Sequence, residues 1–172
     1  MSLFMTNEVE KQFDFAQVGF DIEKTAEKVI VAVLDMESCP FEVEVNLLIT
    51  DDKAIQEMNQ IHRGIDKATD ILSFPMIIYV VPGDFSKVEE LGASAFHPAS
   101  GELLLGDIVI SWEKMLAQTE EYGHSLKREF AFLIAHSMLH LCGYDHVEEE
   151  ERFQMEEKQR QVLEKVQILR NS

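Results

Sequence analysis

The chain has 172 residues, and 46% of them are hydrophobic, which is enough to build the core of one compact domain. Its formal net charge of -17 argues against a broad electrostatic grip on nucleic acid, so an anionic substrate must be bound by a few local cations. The chain lacks an apolar stretch of membrane length and a signal-peptide pattern, so we expect a cytoplasmic protein without a membrane partner.

The N-terminal segment carries the weakest patterns. Residues 1–5 show no periodicity, and we expect them to be tag sequence or frayed. Residues 9–15 alternate weakly between apolar and polar side chains, which predicts an edge strand. The two cysteines, Cys39 and Cys142, lie far apart without a metal-binding spacing, so we interpret them as buried thiols of a protein from a reducing compartment.

Hydrophobic periodicity predicts alternating helices and strands in the rest of the chain. The expected helices are 22–34, 51–63, 112–122, 126–142 and 148–169. The expected strands are 41–49, 71–74 and 105–111, and the composition of 82–101 predicts a long mobile loop. The fold class is therefore α/β (α+β), one domain over 1–172 with a small mixed β-sheet packed on helices. The helix 126–142 is apolar nearly all round from Phe130, which indicates a central position.

Three histidines follow one another at relative positions zero, four and ten in the stretch from His136 to His146. On a helix, His136 and His140 project from the same face one turn apart, so both rings can reach one ion. Gly143 can adopt positive φ and turn the chain back, so that His146 supplies a third nitrogen from outside the helix. Three protein ligands leave a fourth position for water, which is typical of a catalytic metal site.

The alternative to a metal site is a set of ordinary buried core histidines. Each unpaired polar group buried in so apolar a helix costs about 1–3 kcal/mol, and one shared ion would satisfy most of them. We therefore predict one divalent metal ion on His136, His140 and His146. Zinc is the expected ion, although imidazole ligands also suit nickel, copper and iron.

The same histidine spacing occurs in metzincin proteases, which makes a zinc peptidase one hypothesis. Those enzymes need a glutamate directly after the first histidine as the general base. Here that position is Ser137, which cannot take up a proton from water at neutral pH. The sequence therefore disfavours a peptidase.

Several separated segments together resemble the YbeY family of bacterial metal-dependent endoribonucleases, the rRNA maturation factors. The segments are Asn59-Gln-Ile-His-Arg63, Lys67 to Pro75, Leu105 to Ser111, Arg128-Glu129 and Met138 to His146. They occur in the order of that family, and the resemblance covers most of the chain from about 43 to 155. The family usually has glycine after the first histidine, whereas this chain has Ser137.

The resemblance implies a zinc-dependent, single-strand-specific endoribonuclease with a zincin-like fold, acting in maturation of small-subunit ribosomal RNA and in ribosome quality control. Its expected partners are single-stranded RNA, ribosomal RNA and the small ribosomal subunit, with no role for DNA. It implies that His136, His140 and His146 are the metal ligands. It also implies that Arg63 is the catalytic or RNA-binding arginine, with His136 beside it among the catalytic residues.

Other polar residues receive structural interpretations. Asp70 and Asp107 each precede a short apolar run, where a carboxylate usually binds nearby backbone amides. Asp145 is either an acceptor that orients a ligating ring or a loop carboxylate facing water. The scattered histidines without an assigned role are His62, His97 and His124. Lys67, Lys127 and Arg128 either extend a local basic track or are ordinary surface charges.

Two chemical questions stay open at the level of sequence. The attacking nucleophile is either a zinc-activated water or the ribose 2′-hydroxyl, and no general base is assigned. In both cases Arg63 would stabilise charge on the phosphoryl oxygens. A metal-stabilised ribosome assembly factor that cuts nothing is the alternative from another functional class.

Overall fold

The computed structural model describes residues 1–169, which form one four-stranded sheet, five α-helices and three short 3-10 turns. The strands are β1 (Ser2–Asn7), β2 (Val43–Thr50), β3 (Ile71–Pro75) and β4 (Leu103–Ser111). The helices are α1 (Ile22–Met36), α2 (Asp52–Arg63), α3 (Trp112–Tyr122), α4 (Leu126–Leu141) and α5 (Glu149–Lys165). The 3-10 turns are Phe15–Gln17, Val88–Leu91 and Ala93–Ala95.

The sheet has the strand order β1-β2-β4-β3 and is mixed, as the sequence predicted. β1, β2 and β4 run parallel, and β3 pairs antiparallel with β4 at one edge. The ladder between β2 and β4 shifts register between Glu44 and Val45, so that Val45 lies opposite Gly106. The antiparallel strand β3 is an edge strand, and its outer side borders the cleft described below.

Two N-terminal expectations, a frayed start and an edge strand over residues 9–15, are wrong. Residues 2–7 are not frayed but form β1, whose Leu3 lies opposite Val45 in the parallel ladder. Residues 9–15 do not form an edge strand; Val9 is buried and is followed by turns. The partner of β1 lies about forty residues away along the chain, and local periodicity carries no information about such a partner.

Two other boundaries differ from the predictions. The helix expected to reach residue 169 ends at Lys165, because Gln167 adopts a φ of 59° and Ile168 N donates back to Leu163 O. The segment 82–101 contains the two 3-10 turns Val88–Leu91 and Ala93–Ala95, and Phe85 and Val88 are buried in the core. Apolar anchors inside this segment therefore hold it against the domain.

Helix α4 lies at the centre of the helical layer, which explains why it is apolar nearly all round. It contacts α1, α3 and α5 as well as β3 and β4. On the opposite face of the sheet, Ile55 of α2 packs with Leu72 and Val109 in a second, smaller cluster. Since Val109 belongs to this cluster and Ile108 and Ile110 belong to the main core, β4 is buried on both faces.

The ends of α2 follow the sequence signals that predict them. Asp51 caps the N-terminus by accepting a hydrogen bond from Ala54 N, and Gly64 ends the helix with a φ of 71°. Arg63 is consequently the last residue of α2, and the cap at Gly64 fixes its backbone position. Within residues 1–169, none of the helices combines the length and the apolar character needed to cross a membrane.

We predict that Gly106→Ala lowers the free energy of unfolding by about 3 kcal/mol in urea denaturation. The added methyl group would both strain the backbone at a positive φ and overpack the space around it. A Cβ at Gly106 would lie 2.4 Å from Phe74 O and 2.8 Å from Leu141 Cδ2, and the glycine has a φ of 150°. The matched control is Gly123→Ala, where φ is 66° but no atom lies within 4 Å; it should cost about 1 kcal/mol. Equal losses for the two variants would contradict this packing.

Candidate metal centre

The first two histidines project from α4 one helical turn apart. The Nε2 atoms of His136 and His140 lie 3.1 Å from each other, and the ring centroids are 4.7 Å apart. Two nitrogens at this distance face a common point, as the four-residue spacing predicted.

The sharp bend after α4 returns the third histidine to the same point. Gly143 has a φ of 99°, and Tyr144 N donates to Leu139 O at 3.0 Å. The ring of His146 then lies 5.4 Å from that of His136 and 5.0 Å from that of His140, measured between centroids. One nitrogen from each of the three histidines lies within 4.8 Å of the others, so this group could hold a metal ion.

A second reason for glycine at the bend is the close approach of the segment after β3. A Cβ at Gly143 would lie 2.7 Å from the ring of Tyr79. Gly83 N donates to Cys142 O at 2.8 Å, which ties the same segment to the last residues of α4. The bend therefore requires glycine both for its backbone conformation and for space.

The hydrogen bond of His140 selects a ring form suited to metal binding. Its Nδ1 lies 2.8 Å from Tyr144 O, and because a carbonyl can only accept, Nδ1 carries the proton. The Nε2 lone pair is then free to face His136 and His146. The donor set is thus three imidazoles, with at least one of them locked in the ligating tautomer.

The environment keeps two of the imidazoles uncharged. Burial lowers the pKa of His136 to about 4, and the neighbouring His140 and His146 add to this, while a hydrogen bond with Gln159 opposes it. Burial also lowers the pKa of His140, to which His146 and the positive charge of Arg63 contribute. Neutral imidazole is the form that binds metal, so the site is prepared for an ion at neutral pH.

A buried ionic network holds the bend in place. The Tyr144 hydroxyl donates to Glu37 Oε2 at 2.8 Å, and Lys158 Nζ donates to Glu37 Oε1 at 2.9 Å. The Glu37 side chain is only 6% exposed, so its charge is balanced by Lys158 rather than by bulk water. Tyr144 therefore connects α1 and α5 to the carbonyl that orients His140.

The three histidines open into a cleft of about 580 Å³ between the end of α2 and the edge strand β3. Its lining residues are Arg63, Thr69, Asp70, Ile71, Leu72, Ser73, Pro75, His136, His140, Asp145, His146 and Val147. Arg63 is exposed, and its Nη1 donates to Asn59 Oδ1 at 3.5 Å. Asn59 is buried and its Nδ2 donates to Lys67 O, so a fixed amide supports the guanidinium.

The aspartates serve local structure. Asp70 Oδ1 accepts from Ile71 N and Thr69 Oγ1, and Asp145 Oδ1 accepts from His146 N at 2.7 Å. Asp70 thus binds a backbone amide as predicted for a turn, whereas Asp145, for which the sequence left two roles open, accepts from a backbone amide rather than from a ligating ring. Asp107 is also structural, but it accepts from the side chain of Asn46 on the neighbouring strand and lies within β4.

The remaining predicted residues lie outside the histidine group. His97 caps a turn by accepting from Ala99 N and Ser100 N, and His124 faces Glu129. His62 packs on Phe74. Cys142 is buried and Cys39 is half-buried. Of the three cations, Lys67 and Lys127 do not line the cleft, and Arg128 donates to Ile168 O.

Ser137 fits the position where the resembling family usually has glycine. The residue is completely buried, and its hydroxyl lies 2.5 Å from that of Ser73 on β3. This hydrogen bond satisfies the buried hydroxyl and links the metal-facing helix to the edge strand of the cleft. The position therefore presents no base to the histidine group, which agrees with the argument against a peptidase.

Sequence reasoning missed two residues that support the histidines. Tyr144 supplies the carbonyl for His140, and a backbone carbonyl leaves no signal in residue type. Gln159 hydrogen-bonds His136 and is only 1% exposed. Gln159 follows Met155 at four-residue spacing on the apolar side of α5, and a polar residue within that stripe is the signal that could have found it.

Comparisons with known proteins agree with this geometry. The family model described as Endoribonuclease YbeY matches residues 7–167. The chain is 51% identical over 170 residues to the endoribonuclease YbeY of Lachnoclostridium phytofermentans and 52% identical over 170 residues to that of Agathobacter rectalis. Each alignment covers 99% of this chain and 100% of the relative.

A solved structure supports the fold. The solution structure of TM1509 from Thermotoga maritima aligns with a TM-score of 0.58 and 25% identity, covering 96% of this chain and 89% of that one. The family model and the full-length relatives confirm the resemblance drawn from the separated sequence segments. The chain therefore belongs to the YbeY family of endoribonucleases.

Proposed function

We propose that this protein is a metal-dependent endoribonuclease that cuts single-stranded RNA, with His136, His140 and His146 as the metal ligands. The observation that carries the proposal is the convergence of three imidazole nitrogens in a cleft that also contains the guanidinium of Arg63. The full-length relatives, which are endoribonucleases, supply the reaction class. Zinc is the proposed ion, because three imidazoles with an open position suit it.

The protein residues have separable tasks in this reaction. A divalent ion held by the three histidines would polarise a phosphoryl oxygen and activate the attacking hydroxyl group. Arg63 binds the phosphodiester through its planar fork and offsets the charge that builds on the phosphoryl oxygens. The Asn59 amide holds Arg63 at the rim of the cleft, and Tyr144 O keeps His140 in the ligating tautomer.

Two nucleophiles are compatible with these residues, as the sequence also left open. The cleft contains the carboxylates Asp70 and Asp145, and one oxygen of each is committed to backbone amides. Attack by the ribose 2′-hydroxyl leaves a 2′,3′-cyclic phosphate, whereas attack by water leaves a linear phosphate. Mass analysis of the product ends distinguishes the two paths.

The proposed substrate in the cell is the RNA of the small ribosomal subunit, processed in the cytoplasm during maturation and quality control. Because the protein has a net charge of -17, we expect it to contact only a few phosphates of its substrate. Single-stranded RNA suits the cleft between Arg63 and the edge strand, because unpaired bases can splay out and be bound separately. We propose that residues 1–172 act as one domain.

We predict that the purified protein carries close to one divalent ion per chain by elemental analysis and that His140→Ala carries almost none. Saturating metal should raise the free energy of unfolding by about 4 kcal/mol at a thousandfold excess over Kd, because only the folded chain brings the three rings together. His97→Ala is the matched control, since His97 lies outside the group, and it should keep the wild-type metal content. Equal metal content in both variants would exclude this ligand set.

We predict that the metal-free protein loses stability as the pH falls from 6.5 toward 4. The pKa of His136 is held at about 4 in the folded chain, against an ordinary value of 6.5, so between these values only the unfolded chain binds the proton. The contribution of His136 is complete above pH 6.5 and decreases by up to about 3 kcal/mol at pH 4. Urea denaturation across this range, compared with His136→Asn, measures it; identical pH slopes would contradict the buried neutral form.

We predict that Arg63→Ala lowers kcat for cleavage of single-stranded RNA by about a hundredfold, because one charge-stabilising donor is lost. Arg63→Lys should recover only part of the rate, since an ammonium group lacks the planar fork. Metal content should be unchanged in both variants. Lys53→Ala, an exposed cation on the same helix, is the control and should cleave at the wild-type rate. If Arg63→Ala cleaves as fast as wild type, Arg63 has no catalytic role; if both proteins show only the same background cleavage, the assembly-factor alternative gains support.

A further inference from the structure

A second cavity lies on the side of the histidine group where α4 faces α5. It has a volume of about 300 Å³ and is lined by Phe132, His136, His146, Arg152, Met155, Glu156 and Gln159. Two of the three imidazoles thus border both this cavity and the main cleft. A strand whose phosphate lies at the histidine group in the main cleft therefore has this second space next to it.

Two hydrogen-bond donors of this cavity have no partner within residues 1–169. Gln159 is 1% exposed, and its Nε2 is buried and unbonded. Gln159 and His136 both line this cavity, and the unbonded Nε2 of Gln159 remains available to an occupant. The guanidinium of Arg152 makes no hydrogen bond or ion pair with the described residues, although acidic residues precede it at Glu149, Glu150 and Glu151.

The remaining walls define the chemistry of the occupant. Phe132 and Met155 supply apolar surface, and Glu156 supplies an acceptor beside the two donors. A carboxylate repels a phosphate group but accepts from an exocyclic amino group, and a side-chain amide pairs with the edge of a base. Since a water molecule in liquid occupies about 30 Å³, the cavity has room for about ten waters or for one flat heterocycle.

We propose that this cavity, with Arg152 and Gln159 as its donors, binds the nucleobase of a nucleotide next to the scissile phosphate. This proposal rests on the proposed RNA-cleaving function and adds a second point of contact to it. Phe132 and Met155 provide the apolar surface, while Gln159, Arg152 and Glu156 contact the edge of the base. Arg63 lines the main cleft and Arg152 lines this cavity, and the two spaces share His136 and His146, so both cations can contact one strand bound at the histidine group.

The test uses short single-stranded RNAs in which one abasic nucleotide is placed at each position in turn. Affinity for the full-length protein is measured by fluorescence anisotropy in the presence of Zn²⁺. With wild type, we expect about tenfold weaker binding for the abasic site at one position beside the cleavage site, because one stacked and hydrogen-bonded base is lost. A series in which every abasic RNA binds as well as the intact RNA overturns the proposal.

Variants connect that position to the cavity. Arg152→Gln and Gln159→Met should bind the intact RNA about tenfold more weakly and should no longer distinguish it from the abasic RNA. Gln159→Met also removes the hydrogen bond to His136, so its metal content is measured beside its affinity. Arg160→Gln is the control, since Arg160 lies on the same helix, pairs with Glu157 and does not line the cavity. If Arg152→Gln keeps the wild-type discrimination, the cavity is not the base-binding site.

The same samples separate this proposal from the proposed function. Cleavage products are recorded by gel for the intact RNA. Selective binding at one position without cleavage supports the base site and contradicts the nuclease function. Cleavage with no base discrimination supports the nuclease and overturns the base site, and an absence of measurable RNA binding overturns the base site as well.

Discussion

Three imidazole rings must reach one point where an apolar helix meets a polar cleft, and the rest of the structure depends on this requirement. Two rings come from one face of α4, and the third returns to the same point because Gly143 adopts a φ of 99° directly after the helix. Only this combination of a buried helix and a sharp bend brings the ligand atoms within 4.8 Å of one another. Burial also keeps His136 and His140 neutral, so the solvent exclusion that stabilises the core prepares the rings for a metal ion.

Helices α1 and α5, which pack against α4, hold the histidine group in place. Glu37 of the α1 end and Lys158 of α5 fix the Tyr144 side chain, while the Tyr144 carbonyl fixes the ring of His140. Gln159 of α5 contacts His136 in the same layer. Supporting contacts of this kind orient metal ligands before an ion binds, which reduces the reorganisation that binding requires. The histidine group is thus open to the cleft and to the smaller cavity beside α5, while contacts from α1 and α5 hold the bend in place.

The strongly acidic surface places its own constraint on how RNA is held. A protein with a net charge of -17 repels a polyanion at long range, so binding must come from a few short contacts that are effective only close to the site. Arg63 at the end of α2, supported by the buried amide of Asn59, is the cation that we propose for one such contact. The cavity between α4 and α5 offers apolar surface, the neutral amide of Gln159 and the guanidinium of Arg152, all of which act at short range. Membership of an endoribonuclease family is therefore compatible with an acidic chain.

The sequence alone determined the features that depend on nearby residues. The helix and strand segments from α1 to α5, the caps of α2, and the common face of His136 and His140 all follow from periods of 3.6 or 2 residues and from local backbone chemistry. Even the return of His146 was predictable, because glycine at Gly143 permits a turn within three residues. The family was predictable as well, since its segments occur in order along the chain.

Tertiary structure decided what depends on contacts between distant parts of the chain. The pairing of β1 with β2, which overturned the expectation for residues 1–5 and 9–15, joins residues about forty positions apart. The contacts of Tyr144 with Glu37 and of Gln159 with His136 likewise join separate helices. The cavity that shares two imidazoles with the main cleft exists only because α5 packs beside α4. Periodicity along a chain reports which side of a helix or strand is buried, but it does not specify the element that covers this side. That choice depends on the packing of the whole domain.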